Sequence, residues 1–384
     1  MVSNWQIIEG IFIQYMQQFF LFLVSSVCMK HLLVDISGHG FGHLAQVSPV
    51  LNELDGREIE LRITIRTSLP EDLLRSKISL IFDYIHMELD KGMIMSDAMV
   101  VNPEASYCWY EQFHDSYEIT LQKQSQLLKA LKPDLLFADI PYISLDAAHS
   151  LGIPSIALCS LNWADIFYTY CKHQPKSDSI YQQILAAYNK ADSFLQPRPS
   201  MDMPEIINSK SIGPISKHGD KQRLSNHINA KQRDKFVLVS LGGIDTQLAI
   251  DILPIIENVN WIVPNTTTST RVDVFSQSLF QISYIDLLSS VDLILTKTGY
   301  GTMVEAVTHQ IPILCIQRPD WPEEPNLFAW CQQYGFFESM TRQQLTEKEF
   351  PQRVKAMLAT RWDKPAIKAN GAQQAADSLY EYLA

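Results

Sequence analysis

Short apolar runs that alternate with helical patterns constrain the fold of this chain more than any other feature of its sequence. The first run, HLLVDI (31–36), lacks the polar and apolar alternation of a half-exposed strand, which is typical of a strand buried on both faces of a parallel sheet. Similar runs follow at 59–67, 134–140 and 154–160, with helical patterns between them. This order predicts a doubly wound α/β unit.

The same alternation returns after a polar stretch of sequence. Residues 209–235 contain Gly-Pro and several cations, and they separate two regions that are rich in apolar runs. In the second region a helix is expected over about 245–257. The strand-like runs of this region are 235–243, 260–265, 291–301 and 312–317.

The length of the chain favours two domains. At 384 residues it exceeds the usual size of a single hydrophobic core. We predict an N-terminal β/α domain at 29–214, a polar linker at 215–234 and a C-terminal β/α domain at 235–384. The last helix of the C-terminal domain can return to pack on the N-terminal domain.

The first 28 residues form an apolar segment that fits no standard targeting signal. IFIQYMQQFFLFLVSSVC (11–28) holds three glutamines, follows no basic segment and lacks an A-x-A cleavage pattern. Met29 directly precedes the first strand-like run. We therefore expect residues 1–28 to be an added or upstream-translated segment outside the fold, with a docked helix and a membrane-surface anchor as alternatives.

Charge and cysteine content exclude several classes of function. The net charge of −11 argues against nucleic acid as a partner, because such binding depends on clustered Lys and Arg. A composition of 46% hydrophobic and 19% charged residues is typical of a soluble globular protein. The cysteines show no C-x-x-C spacing, so we expect reduced thiols in a cytoplasmic protein and no metal site. They are Cys28, Cys108, Cys159, Cys171, Cys315 and Cys331.

A glycine-rich turn, SGHGFGH (37–43), follows the first predicted strand. A strand that enters a helix through such a turn directs backbone N–H groups and the positive end of the helix dipole toward one point, where an anion can bind. The spacing is not G-x-G-x-x-G, so a simple tight turn is an equal alternative. For His39 and His43 a functional role is favoured over a purely structural one. Imidazoles titrate near neutrality, and ligands bind at this edge of open α/β sheets.

A second turn of this kind lies in TKTGYGTMVEAV (296–307). Glu305 is expected on the first turn of the following helix, where it could reach a ribose diol while the N–H groups of 301–303 meet a diphosphate. The alternative is an acidic residue that only stabilises the helix dipole. Gly242 and Gly243, after the run that begins at 235, offer a third anion site in the same half.

These segments together carry a family resemblance. DISGHGFGH, LGG, TKTGYGTMVEAV and RPDWPEEPN resemble the two-domain glycosyltransferases of GT-B architecture, particularly those similar to the lipid-linked N-acetylglucosaminyltransferase of peptidoglycan synthesis. GHGFGH, K-x-GYGT-x-x-E and SLNWADIFYTY are also similar to the glycosyltransferase-like N-terminal region of L-arabinokinases and its stand-alone bacterial relatives. The resemblance implies two Rossmann-like domains that face each other across a cleft. No kinase domain follows, so arabinokinase activity is not expected.

The resemblance also implies roles for individual residues. His43 or His39 would be the catalytic base, oriented by Asp139 in the loop after a strand. Lys297 is typical of the arabinokinase-like group, as a phosphate contact or as a structural residue. The donor would be bound by Gly242, Gly243, Lys297, Gly299, Tyr300, Gly301, Thr302 and Glu305, with Glu323 or Glu324 near the donor sugar. The acceptor side would include Gly38, Gly40, Phe41, Gly42, Trp163 and Asp165.

The aromatic segment SLNWADIFYTYCKH (160–173) has two interpretations. Its aromatic side chains could form a wall on which a sugar stacks. An aromatic stripe at helical spacing is as often part of a hydrophobic core.

The sequence thus predicts an inverting, metal-independent transferase of hexosyl or N-acetylhexosaminyl groups. The donor is a nucleotide-sugar, expected to be a UDP-sugar, and the acceptor is an unidentified lipid-linked or small molecule. We expect no cofactor and no bound metal, and contact with a membrane surface has only weak support. One alternative is a nucleotide-sugar epimerase or hydrolase on the same fold. The other is a protein that binds or senses a nucleotide-sugar without chemistry.

Overall fold

The computed structural model describes residues 29–97, 99–225, 234–241, 250–264 and 269–384. The N-terminal apolar segment, 1–28, therefore lies outside the described residues. Among the residues that are described, no helix combines the length and the apolar character that crossing a bilayer requires.

The N-terminal lobe is built on a seven-stranded sheet whose strands are all parallel. Its central strands are buried on both faces, which explains why their sequences are continuous apolar runs. In space the order is β3-β2-β1-β4-β5-β6-β7, so it reverses between β1 and β4. The strands are β1 (Lys30–Ile36), β2 (Leu61–Thr67), β3 (Asp83–His86), β4 (Leu135–Asp139), β5 (Ser155–Leu158), β6 (Ser193–Pro197) and β7 (Ser209–Ile212).

Helices connect these strands. The first, α1 (Gly42–Asn52), directly follows the glycine turn after β1. Its apolar residues lie in the core together with those of the sheet. The others are α2 (Glu71–Arg75), α3 (Pro103–Asp115), α4 (Tyr117–Leu131), α5 (Tyr142–Ser150), α6 (Trp163–Cys171) and α7 (Ser177–Tyr188).

The C-terminal lobe has the same architecture, built on a six-stranded parallel sheet. Its strand order is β10-β9-β8-β11-β12-β13, and this order reverses between β8 and β11. The strands are β8 (Lys235–Ser240), β9 (Val259–Val263), β10 (Val274–Ser276), β11 (Leu293–Lys297), β12 (Ile313–Ile316) and β13 (Phe337–Met340). The described helices are α8 (Tyr284–Ser290), α9 (Tyr300–Thr308), α10 (Glu324–Tyr334), α11 (Phe350–Leu358) and α12 (Gly371–Leu383).

The last helix, α12, packs on the N-terminal lobe against α1, β4 and β7. A close backbone approach fixes its start, where the N–H of Gly371 donates to the carbonyl oxygen of Pro214 at 3.0 Å. A Cβ at Gly371 would lie 2.0 Å from the carbonyl oxygen of Gly213, so a larger residue does not fit there. The two lobes are thus joined by a second stretch of chain besides the direct connection.

The described part of the polar stretch expected as a linker contacts the C-terminal lobe. The hydroxyls of Ser216 and Thr308 lie 2.7 Å apart, and the N–H of Gly219 donates to Nε2 of His309 at 3.0 Å. Of the predicted linker, 215–225 and Asp234 are described and 226–233 are not. The described part is therefore packed against the lobe that follows it.

The alternating β/α order predicted from the sequence is confirmed, but five strands were not expected. These strands are short, and β3 has no buried residue and β7 only one, so they give little apolar signal. The helix expected over 245–257 is wrong in its described part, because 250–257 forms only a 3₁₀ turn at Ile250–Ile252. The unexpected strands are β3, β6, β7, β10 and β13.

Candidate active site

Each sheet reverses its strand order at one point, and the loops that follow the two strands there open a crevice at the carboxyl edge. In the N-terminal lobe this point lies between β1 and β4, whose last residues Ile36 and Asp139 are paired in register. The loop after β1 is the glycine turn 37–41. The sheet therefore brings two separate segments of the predicted site to one place.

His43 and Asp139 form a buried pair at this point. Nδ1 of His43 lies 2.8 Å from Oδ1 of Asp139. Asp139 is the last residue of β4 rather than a loop residue, and His43 is in the first turn of α1. Burial lowers the pKa of His43, but the charge of Asp139, the hydrogen bond between them and the charges of Asp90 and Glu323 together raise it above its usual value.

The pKa of His39, the second histidine, shifts in the opposite direction to that of His43. Burial, followed by the neighbouring charges of His43 and Arg318, lowers the pKa of His39 to about 3, so its imidazole is neutral near pH 7. Its ring lies edge-on to Trp163 at 5.0 Å and is stacked on Trp321 at 6.3 Å between centroids. Its Nε2 is buried and has no hydrogen-bond partner among the described residues.

Asp90 belongs to this cluster and was missed in the sequence. It accepts hydrogen bonds from Oγ of Ser37 at 2.6 Å and from Nε1 of Trp163 at 3.1 Å. Burial raises its pKa to about 6. Asp90 lies in an irregular loop after the half-exposed strand β3, where no motif distinguishes it from any other loop aspartate.

A thiol completes the surroundings of the pair. His43, Asp139 and Cys159 present three potential metal ligand atoms within 4.8 Å of one another. Burial raises the pKa of Cys159 well above its usual value, so the thiol is neutral, whereas a metal binds the thiolate. Nδ1 of His43 is already engaged with the carboxylate. The donor set therefore fits a hydrogen-bonded His–Asp pair better than a metal centre.

The structure explains why glycine occupies two positions of the first turn. A Cβ at Gly38 would lie 2.0 Å from Oγ of Ser68, and Gly40 has a φ of +73°, which favours glycine. Gly42 is the first residue of α1, and Phe41 precedes it with a side chain that is 46% exposed. The turn thus places the start of α1, with His43 on it, at the edge of the sheet.

The second turn forms the matching edge of the C-terminal lobe. Lys297 ends β11 and Gly299 caps α9, so this helix N-terminus points out of the reversal point of its sheet. Burial, followed by the charge of Arg318, lowers the pKa of Lys297 to about 8. The hydroxyl of Tyr300 donates to the carbonyl of Arg198 at 3.1 Å and accepts from the N–H of Ile215 at 2.9 Å. Its buried side chain thus connects three segments of the chain.

The helices that begin at the two reversal points pack against each other. A Cβ added to Gly301 in α9 would lie 3.3 Å from the Cβ of Ala45 in α1. His43 is two residues before Ala45, and Thr302 is next to Gly301. The hydroxyl of Thr302 lies 3.4 Å from that of Tyr284. The two predicted turns, far apart in sequence, therefore face one site.

Glu305 differs from its expected position. It lies in the second turn of α9, since the helix begins at Tyr300, and the first turn contains no acidic residue. The expectation of a first-turn carboxylate is therefore wrong. Burial raises the pKa of Glu305 to about 7, against the charges of Lys217 and Lys77. No hydrogen bond joins its carboxylate to a described residue.

Glu323 and Glu324 have separate surroundings. Glu323 accepts a hydrogen bond from Oγ of Ser160 in the N-terminal lobe at 2.6 Å and one from Nε1 of Trp321 at 3.3 Å. Glu324 accepts from the hydroxyl of Thr298 and from the N–H of Arg318. Glu323 thus spans the two lobes, while Glu324 supports the loop of its own lobe.

The aromatic segment is mainly core. Trp163 and Phe167 are fully buried in α6, whereas Tyr170 is only partly buried. Asp165 lies in the same helix, not in a loop, and its carboxylate accepts from Nδ2 of Asn162 at 2.6 Å and from the hydroxyl of Tyr181 at 3.0 Å. Of this segment, Trp163 alone contacts both histidines, at 5.0 Å and 5.4 Å between ring centroids.

Two predicted residues are not described, and one unexpected residue appears. Gly242 and Gly243 lie outside the described residues. Arg318, just after β12, is buried beside Trp321, with its Cζ 4.1 Å from the ring centroid. In the motif RPDWPEEPN only the two glutamates were predicted to contact the donor, and no role was predicted for the arginine at its start.

Comparison with known proteins supports the fold. No protein-family model matches the chain. The chain is 23% identical over 373 residues to L-arabinokinase of Arabidopsis thaliana, a match that covers 93% of this chain and 35% of that protein. The chain thus spans about a third of the length of this relative.

Solved structures of glycosyltransferases are similar over nearly the whole chain. The calicheamicin glycosyltransferase CalG4 superposes with a TM-score of 0.64 at 15% identity, covering 93% of this chain and 98% of that one. UGT2 of Phytolacca americana, solved with UDP-2fluoro-glucose and pterostilbene, superposes with a TM-score of 0.55 at 13% identity, covering 92% and 93%. The GT-B fold implied by the sequence resemblance is confirmed.

Proposed function

We propose that this protein transfers a sugar from a nucleotide-sugar to an acceptor hydroxyl, with inversion and without a metal ion. The observation that carries the proposal is the hydrogen-bonded pair of His43 and Asp139, which lies at the reversal point of one sheet and faces the helix N-terminus at the reversal point of the other. A base on one lobe and an anion site on the other are the two parts that such a transfer needs.

His43 would act as the general base. With its Nδ1–H donated to Asp139, its Nε2 carries the lone pair, and no described residue occupies that lone pair. The tautomer follows from the carboxylate partner, which can only accept. His39 is the weaker candidate, because an imidazole with a pKa of about 3 has little affinity for a proton at neutral pH.

The proposed step conserves atoms and charge. Nε2 of His43 takes the proton of the acceptor hydroxyl as its oxygen forms a bond to the anomeric carbon. The bond from that carbon to the diphosphate oxygen breaks, and the electron pair leaves with the nucleoside diphosphate. The amides at the start of α9 and the ammonium of Lys297 would stabilise the leaving charge. Attack opposite the leaving group inverts the anomeric centre.

The donor side is assigned by position in the C-terminal lobe. The backbone of Gly299, Gly301 and Thr302 would face the diphosphate, and the unpaired carboxylate of Glu305 would reach the ribose. Glu323 is favoured over Glu324 for the sugar, because its carboxylate reaches Ser160 of the opposite lobe, whereas Glu324 accepts hydrogen bonds only within its own lobe. The UDP-sugar bound in the similar UGT2 structure favours uridine as the nucleoside of the donor. The acceptor is proposed as a small molecule or a lipid-linked one.

A binding protein without catalysis is a second candidate. The chain matches 35% of the length of a protein named for kinase activity, and a nucleotide-sugar site in that region could serve binding alone. An epimerase or hydrolase on this fold would turn over the donor without an acceptor.

A ligand screen tests the function directly. Purified protein should unfold at a higher temperature with its donor, because a ligand at about 100 times its Kd stabilises the folded state by about 2.7 kcal/mol. UDP-, GDP-, ADP- and dTDP-sugars are compared by thermal shift, and nucleoside diphosphate release is then measured with and without an acceptor panel. Release only with an acceptor supports transfer, release without one indicates a hydrolase, and binding without release indicates a sensor. No stabilisation by any sugar nucleotide would contradict all three.

The pH dependence of transfer provides a further test. A general base works unprotonated, so the rate should rise with pH through the pKa of His43, with a midpoint above 6.5. In Asp139→Asn the carboxylate charge that raises this pKa is gone, so the midpoint should fall and the maximal rate should drop. The buried Asp90 remains in both proteins and does not account for a difference between them. The measurement is kcat between pH 5 and 9.

Asp178→Asn, at an exposed carboxylate of the same lobe, is the matched control and should leave the profile unchanged. An unchanged midpoint in Asp139→Asn would show that this carboxylate does not set the protonation of the catalytic group.

A further inference from the structure

Arg318 is a buried cation with two unused hydrogen-bond donors. Only 7% of the surface of this residue is exposed. Its Nε and Nη2 are shielded from solvent and have no partner among the described residues. A buried charge without a partner is costly, and buried polar groups are nearly always bonded. The unused donors of Arg318 therefore indicate a binding site for a group that accepts hydrogen bonds.

The two free donors lie on the same edge of the guanidinium group. Arg66 in the N-terminal lobe shows how that edge is used when it is satisfied, since its Nε and Nη2 donate to the two carboxylate oxygens of Asp35 at 2.7 Å and 2.6 Å. This two-point geometry fits a carboxylate or a phosphate group. The open edge of Arg318 thus has the shape of an oxyanion site.

The nearby acidic side chains do not fill this edge. Glu324 accepts from the backbone N–H of Arg318 and from Thr298, and Glu323 accepts from Ser160 and Trp321. Both carboxylates are thus engaged elsewhere, although their charges act on the guanidinium. Protein carboxylates therefore leave the donor edge free.

The surroundings place this edge beside the proposed donor site. Arg318 follows β12, and the end of that strand pairs in register with the end of β11, where Lys297 meets Ile316. Among the described residues, Nζ of Lys297 has no hydrogen-bond partner. On the opposite lobe, His39 stacks on Trp321, the same ring that Arg318 covers. The unused donors of Arg318 and the unpaired Nε2 of His39 thus lie around one indole ring.

We propose that the Nε and Nη2 edge of Arg318 binds an oxyanion of the nucleotide-sugar through two parallel hydrogen bonds. This rests on the proposed function and identifies a donor-binding residue that the motif comparison does not assign. A nucleotide-sugar offers two such oxyanions. One is the diphosphate, and the other is the carboxylate of the sugar when the donor is a hexuronic acid.

Titration calorimetry of Arg318→Gln distinguishes the two sources. UDP, UDP-glucose and UDP-glucuronic acid are titrated into the wild type and the variant at one salt concentration. Loss of a charged two-point contact should weaken binding by roughly 10- to 100-fold. Weaker binding of all three ligands identifies the diphosphate, and weaker binding of UDP-glucuronic acid alone identifies the sugar carboxylate. Arg318→Lys should recover only part of the loss, because ammonium lacks the planar fork.

Arg361→Gln, at an exposed arginine of the same lobe, is the control and should bind like the wild type. Equal affinity of Arg318→Gln and the wild type for all three ligands overturns the proposal. A wild type that binds no nucleotide contradicts the proposed function itself.

Discussion

Replacing His43 with alanine is expected to lower kcat for sugar transfer by roughly 10²- to 10⁴-fold, the range that general base catalysis contributes. The imidazole is the group whose pKa the surrounding carboxylates raise, and its Nε2 is free to take the acceptor proton. Binding of the donor should change little, because the donor contacts proposed here belong to the C-terminal lobe. Steady-state rates and donor affinity, measured on the same preparation, separate the two effects.

Two other histidine variants sharpen this test. His173→Ala, at an exposed site just after α6, should retain wild-type activity. His39→Ala removes a neutral ring that contacts Trp163 and Trp321, so it should reduce the rate less than His43→Ala does. If His43→Ala transferred sugar as fast as the wild type, another group would have to be the base.

Arg66→Met is expected to be the most destabilising of the substitutions considered, by about 3 to 5 kcal/mol. Arg66 and Asp35 face each other on neighbouring strands β2 and β1, and both side chains are 0% exposed. The guanidinium also donates to Oε1 of Gln124 at 3.1 Å. Removing the arginine leaves the Asp35 carboxylate buried without its counter-charge. Urea unfolding of the two proteins measures the difference in the free energy of unfolding.

The same strand supplies a matched control. Arg62 pairs with Asp83 through the same two nitrogens, but both side chains are more than half exposed. Arg62→Met should therefore cost less than about 1 kcal/mol. The double variant Asp35→Leu with Arg66→Met should recover most of the lost stability, because no uncompensated charge remains. Equal losses for Arg62→Met and Arg66→Met would show that burial does not govern the pair.

The strand and turn pattern of the sequence was enough to predict the main architecture. Runs such as HLLVDI are mainly apolar and lack polar and apolar alternation because parallel strands are covered on both faces, and this local signal does not depend on distant contacts. Short strands with exposed residues, β3 and β7 among them, carry no such signal and were missed. The helix predicted over 245–257 is wrong in its described part. Apolar spacing alone does not distinguish a helix from a 3₁₀ turn that is followed by irregular chain.

Part of the candidate site could also be predicted from the order of strands and turns in the sequence. The glycine turn with His43 was predicted at the carboxyl edge of the sheet, and Asp139 was assigned from the family resemblance. The pairing of β1 with β4 brings these two residues together, and the packing of α1 on α9 adds the start of α9. The position of Glu305 depended on the first residue of α9, and helix ends are poorly defined by sequence.

The sequence by itself thus determined the two parallel β/α lobes and the turns from which the candidate site is built, since these depend on local apolar patterns and on chain order. Tertiary structure alone decided which histidine is basic, that Asp90 joins the cluster from 53 residues beyond Ser37, and that Arg318 is buried with open donors. The physical reason is that a pKa and an unsatisfied hydrogen bond depend on burial and on neighbouring charges. Both are set by segments that are distant in the chain and close only after folding.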